Sequence, residues 1–420
     1  MLALKKIYFA IIGIYIITVA FELPIRYILS IVHIGELIYI RDVLLLAGII
    51  IFFLFENTKI VYLYFFIGFL FFTLVGIYFT DNIIEVGMAV KTILPFYYGI
   101  LLSKKYDNFY LKKDKYLKIL FWGIAFGMLL QYIFDDLPWF AMDNPKLLGA
   151  EGFTPHEMLV WLDDGLPFTR MSGFCRLHNT TAIYVSYIII WYIVYKTKWL
   201  YLCLGGLILI GTLAKTSIAI YILLLITLML KYSSWRKYIL ALKIQILLFG
   251  ISLIFLPVCS LAIDSIQSEL DTKAMLFLLG GFDDRLIYSW PVTIYNIITY
   301  GNIILGRGIG GVGLSTTLFD TKLMIKPPID NFALFIYGTC GLIGICLIIY
   351  YLNRVIKMRI DSKGKHFILL FTFVFFGNAI MADMTDTISM FLFGIAMFYV
   401  YQKNDLTKLG DNDEISNSTQ

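Results

Sequence analysis

A chain of 420 residues that is 60% hydrophobic, 17% aromatic and only 15% charged lies outside the composition of soluble domains and reads as a polytopic membrane protein. Its formal net charge of +5 sits largely in short connectors, so it reports orientation and excludes a nucleic-acid partner. Five cysteines without metal-ligand spacing imply neither a disulfide framework nor a metal centre.

A membrane span needs roughly 20 mostly apolar residues. Twelve such stretches follow one another, at 7–21, 42–55, 60–79, 84–102, 118–134, 179–195, 199–213, 216–230, 238–262, 332–351, 366–382 and 387–401. The expected fold is therefore an all-α polytopic integral membrane protein of about 12 transmembrane helices. One transmembrane domain covers 1–404, and a polar cytoplasmic tail covers 405–420. The start, MLALKKIYFAIIG, has a basic end before an apolar run, but no small-residue cleavage site follows, so it reads as a retained first span. With that end inside, 21 Lys and Arg fall in inner connectors and 11 in the longer outer ones, which predicts two cytoplasmic termini.

Only two connectors are long, the external loops 135–178 and 263–331. Long loops rich in Pro, Gly and aromatic residues are where binding or catalysis is expected. Each carries more acids than bases, so an anion would have to be met by particular arginines: Arg170, Arg176, Arg285 and Arg307. The guanidinium fork matches phosphate oxygens two at a time; interfacial anchoring is the alternative use of these side chains. The stretch RLIYSWPVTIYNIITY (285–300) suits a short helix at the interface, with its Trp and Tyr at headgroup depth and Pro291 in its first turn.

Gly306–Gly311 matches a dinucleotide fingerprint in letters, but an apolar span follows where a βαβ unit would be required. A tight external turn with exposed amides, able to hold a phosphate oxygen, is expected instead. Asp330 and Asn331 stand at the mouth of the tenth span, after Pro327 and Pro328. Asp330 is the candidate acid or base, or else a helix cap. Lys91 is an intramembrane cation with Glu85 as its expected partner. The inner connectors have no phosphate loop and no room for a nucleotide fold, so a donor already in the membrane is expected and no cofactor.

Taken in order, RxSGxxxxxN (Arg170–Asn179), TxxKTS (Thr212–Ser217), the 285–311 stretch and DNxxLxxxxxxGLIG (Asp330–Gly344) resemble the Wzy-type O-antigen and capsular polysaccharide polymerases, in the superfamily they share with O-antigen ligases. The resemblance implies a GT-C-like helical fold in the bacterial plasma (inner) membrane. It also implies an inverting, metal-independent glycosyltransferase that moves an undecaprenyl-pyrophosphate-linked glycan onto a lipid-linked repeat unit at the outer face. Arg170, Arg176, Arg285 and Arg307 would hold the pyrophosphate, and Asp330 would take the proton of the attacking hydroxyl. Lys91, Lys215 and Asn331 are secondary candidates, and a chain-length regulator and a flippase are candidate partners. In ligases the last motif carries a His near the position of Asp330, which tilts the reading toward polymerase. The alternatives are an O-antigen ligase and a lipid-linked oligosaccharide flippase or other transporter. Transporters place polar groups at mid-membrane on broken helices, whereas the polar content here is expected outside the spans.

Overall fold

The computed structural model of the protein describes residues 2–55, 60–103, 114–134, 139, 171–196, 198–263, 282–313, 315–316, 320, 323 and 329–401. Most of the two long external loops, with Arg170, and the 405–420 tail lie outside these residues. Within them the regular elements are helical. In chain order they are α1 (Leu2–Ala20), α2 (Glu22–Ile31), α3 (Ile40–Phe55), α4 (Ile60–Thr80), α5 (Ile83–Leu102), α6 (Asp114–Ile133), α7 (His178–Tyr195), α8 (Trp199–Thr212), α9 (Lys215–Ser233), α10 (Trp235–Ser260), α11 (Trp290–Tyr300), α12 (Phe332–Lys357), α13 (Lys363–Ala379) and α14 (Thr387–Tyr401). Each apolar stretch of the sequence falls on a helix. Among the described residues, six helical segments are long and apolar enough to cross a membrane, and α1 with α2, bent by 84°, makes a seventh if the pair is one span.

The last helix, α14, joins the two halves of the bundle. Gly99 of α5 lies against the Phe391 carbonyl, and Gly394 of α14 lies against the Phe96 carbonyl; a Cβ at either position would overlap backbone. Phe393 of α14 stacks on Phe375 of α13 at 4.9 Å, and Phe398 stacks on Tyr62 of α4 at 4.8 Å. Between helices in lipid there is no water to release, so close backbone approach and ring packing of this kind supply the attraction. Outward faces carry Leu74 of α4, Met229 of α9 and Phe255 of α10, exposed and apolar, as a lipid-facing surface requires.

The glycine loop differs from the expectation. It does not stand out as an open nest but is buried between α4 and α12. Gly306, Gly308 and Gly310 all have positive φ, and a Cβ on Gly308 would overlap Gly76 of α4. The amide of Ile309 donates to Phe72 O at 2.9 Å and that of Arg307 to Gly338 O at 2.7 Å. The loop also breaks α12. Gly341 takes φ 60° and ψ −150°, and the amide of Leu342, freed by that kink, donates to Ile303 O at 3.1 Å. Loop backbone thus satisfies helix backbone at a depth where water is scarce.

Arg307 is fully buried inside this loop and is not available to a pyrophosphate. Its Nη2 donates to Asp320 Oδ2 at 2.8 Å and its Nη1 to Gly311 O at 2.8 Å. The 285–300 stretch is helical as expected, with a π turn over Arg285–Ser289 leading into α11 and Pro291 in its first turn. Trp290, however, is fully buried beside Phe282 rather than at headgroup depth, while Tyr288 and Tyr295 are exposed.

Arg307→Ala removes a buried positive partner from the Asp320 carboxylate, a change that costs about 3–5 kcal/mol. The variant should melt well below the wild-type protein in detergent, whereas an unchanged melting temperature would contradict a latch role for the pair.

Candidate functional site

The DN motif opens α12. Asn331 is buried and caps the helix through Oδ1, which accepts from the Leu334 amide at 3.0 Å; its Nδ2 donates to Leu253 O and Ile380 O, both at 3.2 Å. It is therefore structural, tying α12 to α10 and to the end of α13. Asp330, one residue earlier, is left to accept from Arg285 Nη2 at 2.7 Å, with both side chains about a quarter exposed. Burial raises the Asp330 carboxyl above the ordinary carboxylate value against the lowering pull of Arg285. The two residues singled out as catalytic are thus brought together, as an ion pair.

The RxSG motif is pinned before α7. Gln131 Oε1 of α6 accepts from the amides of Ser172 and Gly173, each at 2.9 Å, and Thr181 Oγ1 donates back to Ser172 O at 2.6 Å. Gly173 has φ 62° and packs on Met128, a conformation that suits glycine. Phe174 O then accepts from the Leu23 amide at 3.1 Å, and Cys175 Sγ donates to Ala20 O at 3.4 Å. The loop therefore clamps the break between α1 and α2 and sets Arg176 in the field of Glu22, Arg26, Tyr39 and Arg41.

Glu22 is the centre of this group. Its Oε1 accepts from Arg26 Nε at 2.7 Å and its Oε2 from Arg41 Nη1 at 3.4 Å, and all three side chains are less than a tenth exposed. Arg41 also lies 5.3 Å from the centre of the Tyr15 ring, and Tyr15 Oη donates to Asp42 Oδ1 at 2.5 Å. Lys91 sits over the Tyr39 ring at 4.7 Å, in the field of Asp42, Arg41, Glu22 and Arg26. Asp42, not Glu85, is the first of the charges that act on it. Among the described residues, four cations thus surround two carboxylates, and Arg41 Nε and Asp42 Oδ2 are buried without a hydrogen-bond partner.

The two groups are linked through the turn before α14. Asp383 feels the charge of Asp330, Asp386 that of Asp383, and Tyr184 those of Asp386, Glu22 and Arg41. The starts of α2, α3, α12 and α14 and the first half of α7 supply these residues, so they share one end of the bundle. Tyr184 also enters the wall of an apolar cavity of about 550 Å³, with Ile12, Leu120, Tyr187, Trp191 and Phe391. Arg285 and Arg176 therefore belong to two groups along one charged line, the Asp330 pair and the Glu22 cluster. Lys215 is the half-buried first residue of α9, and Arg170 lies outside the described residues.

Sequence reasoning missed Glu22, Arg26, Asp42 and Asp386 as site residues and counted Arg26 and Arg41 only as external charge. The available signal was an ionisable pair at helical spacing, Glu22 and Arg26, directly after an apolar run. Glu22, Arg26 and Arg41 do lie outside the expected spans, between 7–21 and 42–55, but they are buried within α2 and at the start of α3 rather than standing in an open connector. Comparison with protein-family models, with curated proteins and with solved structures finds no match to this chain.

Glu22→Gln removes the carboxylate shared by Arg26 and Arg41 and should destabilise the protein by about 3–5 kcal/mol. Glu22→Gln combined with Arg26→Gln should recover part of that loss in a melting experiment. Additive losses in the double variant would mean that the two side chains are not coupled.

Proposed function

We propose that the protein is a glycan polymerase of the bacterial plasma membrane that uses a polyprenyl-pyrophosphate-linked donor at the outer face. In this reading all twelve apolar helical segments cross the bilayer, both termini are cytoplasmic, and the charged end of the bundle faces outward. The observation that carries the reading is the adjacency of four cationic groups, Arg26 and Arg41 buried and Lys91 and Arg176 half-buried, around Glu22 and Asp42 to an apolar cavity lined by Tyr184, Tyr187 and Trp191. An amphiphile with an anionic head and a long hydrocarbon tail fits that adjacency. A free sugar nucleotide does not, because it has no tail.

Chemically, arginines that meet developing charge on the departing pyrophosphate would lower the barrier to breaking the sugar–phosphate bond. Arg41, Arg26 and Arg176 form that cationic pole, and Arg285, oriented by Asp330, stands at the other pole beside the acceptor. A carboxylate at this end takes the proton of the attacking hydroxyl as the new glycosidic bond forms. The ordered set of motifs from Arg170 to Gly344 supports the superfamily that polymerases share with ligases, Asp330 in place of a ligase His tilts the reading toward polymerase, and a chain-length regulator and a flippase are the partners that reading brings.

A lipid-linked oligosaccharide transporter is the second reading, and the charges buried between helices favour it. The kink of α12 at Gly341 does not, since loop backbone fills it.

Deletion of the gene separates these readings on a gel of lipid-linked and surface polysaccharide. Single repeat units at the surface with the long ladder gone are expected. Long polymer retained on its lipid carrier would mean a ligase, and repeats trapped inside would mean a transporter. Arg285→Ala should reduce polymer by about 100-fold or more with the protein still in the membrane, and normal chain length in that variant would remove Arg285 from the mechanism.

A further inference from the structure

The turn between α13 and α14 holds a carboxylate for which the fold supplies half a set of partners. Asp386 Oδ1 accepts from the amides of Ile388 and Ser389, each at 3.1 Å, and so caps α14. Its Oδ2 is buried with no hydrogen-bond partner. Across from it, the Tyr184 hydroxyl is also buried and unpartnered, in a side chain only 1% exposed. A cap needs one oxygen, and three residues that interact with Asp386, namely Tyr184, Tyr187 and Ile388, also line the apolar cavity. Asp330 also has one oxygen committed, but its Oδ2 is paired at 2.7 Å with a cation, Arg285, for which it serves as counter-ion.

Resting on the polymerase reading, we propose that Asp386, rather than Asp330, is the proton acceptor of the transfer, and that Asp330 positions Arg285. In the step, the acceptor sugar hydroxyl attacks the anomeric carbon of the donor and its proton passes to Asp386 Oδ2. The new carbon–oxygen bond forms as the bond to the pyrophosphate breaks, and the bonding pair leaves on the pyrophosphate oxygen beside the arginines. The proton is then released from Asp386 to solvent.

The surroundings suit this role. Asp386 faces Asp383 from its own turn, Tyr184, Tyr187 and Cys175 from α7 and the loop before it, and Ser389 from α14, while Tyr15 of α1 reaches the neighbouring Thr387. None of these is a cation, and Arg41 acts on the neighbouring Tyr184. Burial, reinforced by Asp383 and opposed by the Ser389 and Ile388 bonds, pushes the Asp386 carboxyl up to about 7. A base with its pKa near the working pH combines an available ionised form with a real affinity for the proton.

Asp386→Asn is the decisive variant because asparagine caps a helix as well as aspartate does and its side-chain oxygen can still accept from Ile388 and Ser389. Membranes carrying each variant are supplied with lipid-linked repeat units extracted from the host, and polymer length and rate are followed between pH 5.5 and 8.5. The wild-type rate should rise to a plateau with a midpoint near 7. Asp386→Asn should lose about 100-fold or more with an unchanged melting temperature, and Asp330→Asn should lose much less. If Asp386→Asn is not recovered in the membrane, Asp386→Ser, another capping residue without a base, takes its place. Wild-type polymerisation with Asp386→Asn within threefold of it, or a rate flat with pH, overturns the assignment alone. No polymer from wild-type membranes overturns both the assignment and the reading beneath it.

Discussion

A charge held among membrane helices must be paired, and Glu22 is the residue that makes this possible here. It takes Arg26 on one oxygen and Arg41 on the other and lies in the field of Arg176. Without a shared carboxylate, three guanidinium groups from α2, from the start of α3 and from the loop before α7 would repel one another in a medium that screens little. With it they form a fixed cluster whose positive excess remains available. The 84° bend between α1 and α2 follows the same need: it turns Glu22 inward, and the 171–177 loop holds the bend by accepting the Leu23 amide.

The second constraint is backbone satisfaction. The 301–313 loop enters the bundle between α4 and α12, and it can do so because glycine removes the Cβ at each close approach and because its carbonyls and amides pair with those that the kink in α12 sets free. Arg307 and Asp320 close that loop from within. Rigidity from this loop reaches the site through α12, which Asn331 caps and Asp330 precedes. The same helix thus bears a structural asparagine and, next to it, a partly open ion pair.

Much of this architecture was legible in the sequence. Apolar runs located the helices because the bilayer demands long uninterrupted segments, and Pro291 and the DN pair marked helix starts through ordinary first-turn and capping chemistry. The Arg285–Asp330 pairing was anticipated only as two candidates at one end, since sequence gives no distance between residues 45 apart. The failures share one cause. Arg307 and the glycine loop looked external because polar and flexible residues usually are, and nothing local reveals that α4 and α12 leave a slot of backbone width. Glu22, Arg41 and Asp386 looked like connector charge because each stands singly at the edge of an apolar run, and only the packing of five chain segments makes them neighbours.

The central claim is that the charged end and the apolar cavity together hold one amphiphile by its anionic head. Purified protein in nanodiscs, titrated with undecaprenyl pyrophosphate and in parallel with uncharged undecaprenol, tests it by thermal shift. The pyrophosphate form should raise the melting temperature saturably and the alcohol should not, with the difference abolished in Arg41→Gln. Equal shifts from the two lipids, or a shift from neither, would contradict a cationic headgroup site at this end of the protein.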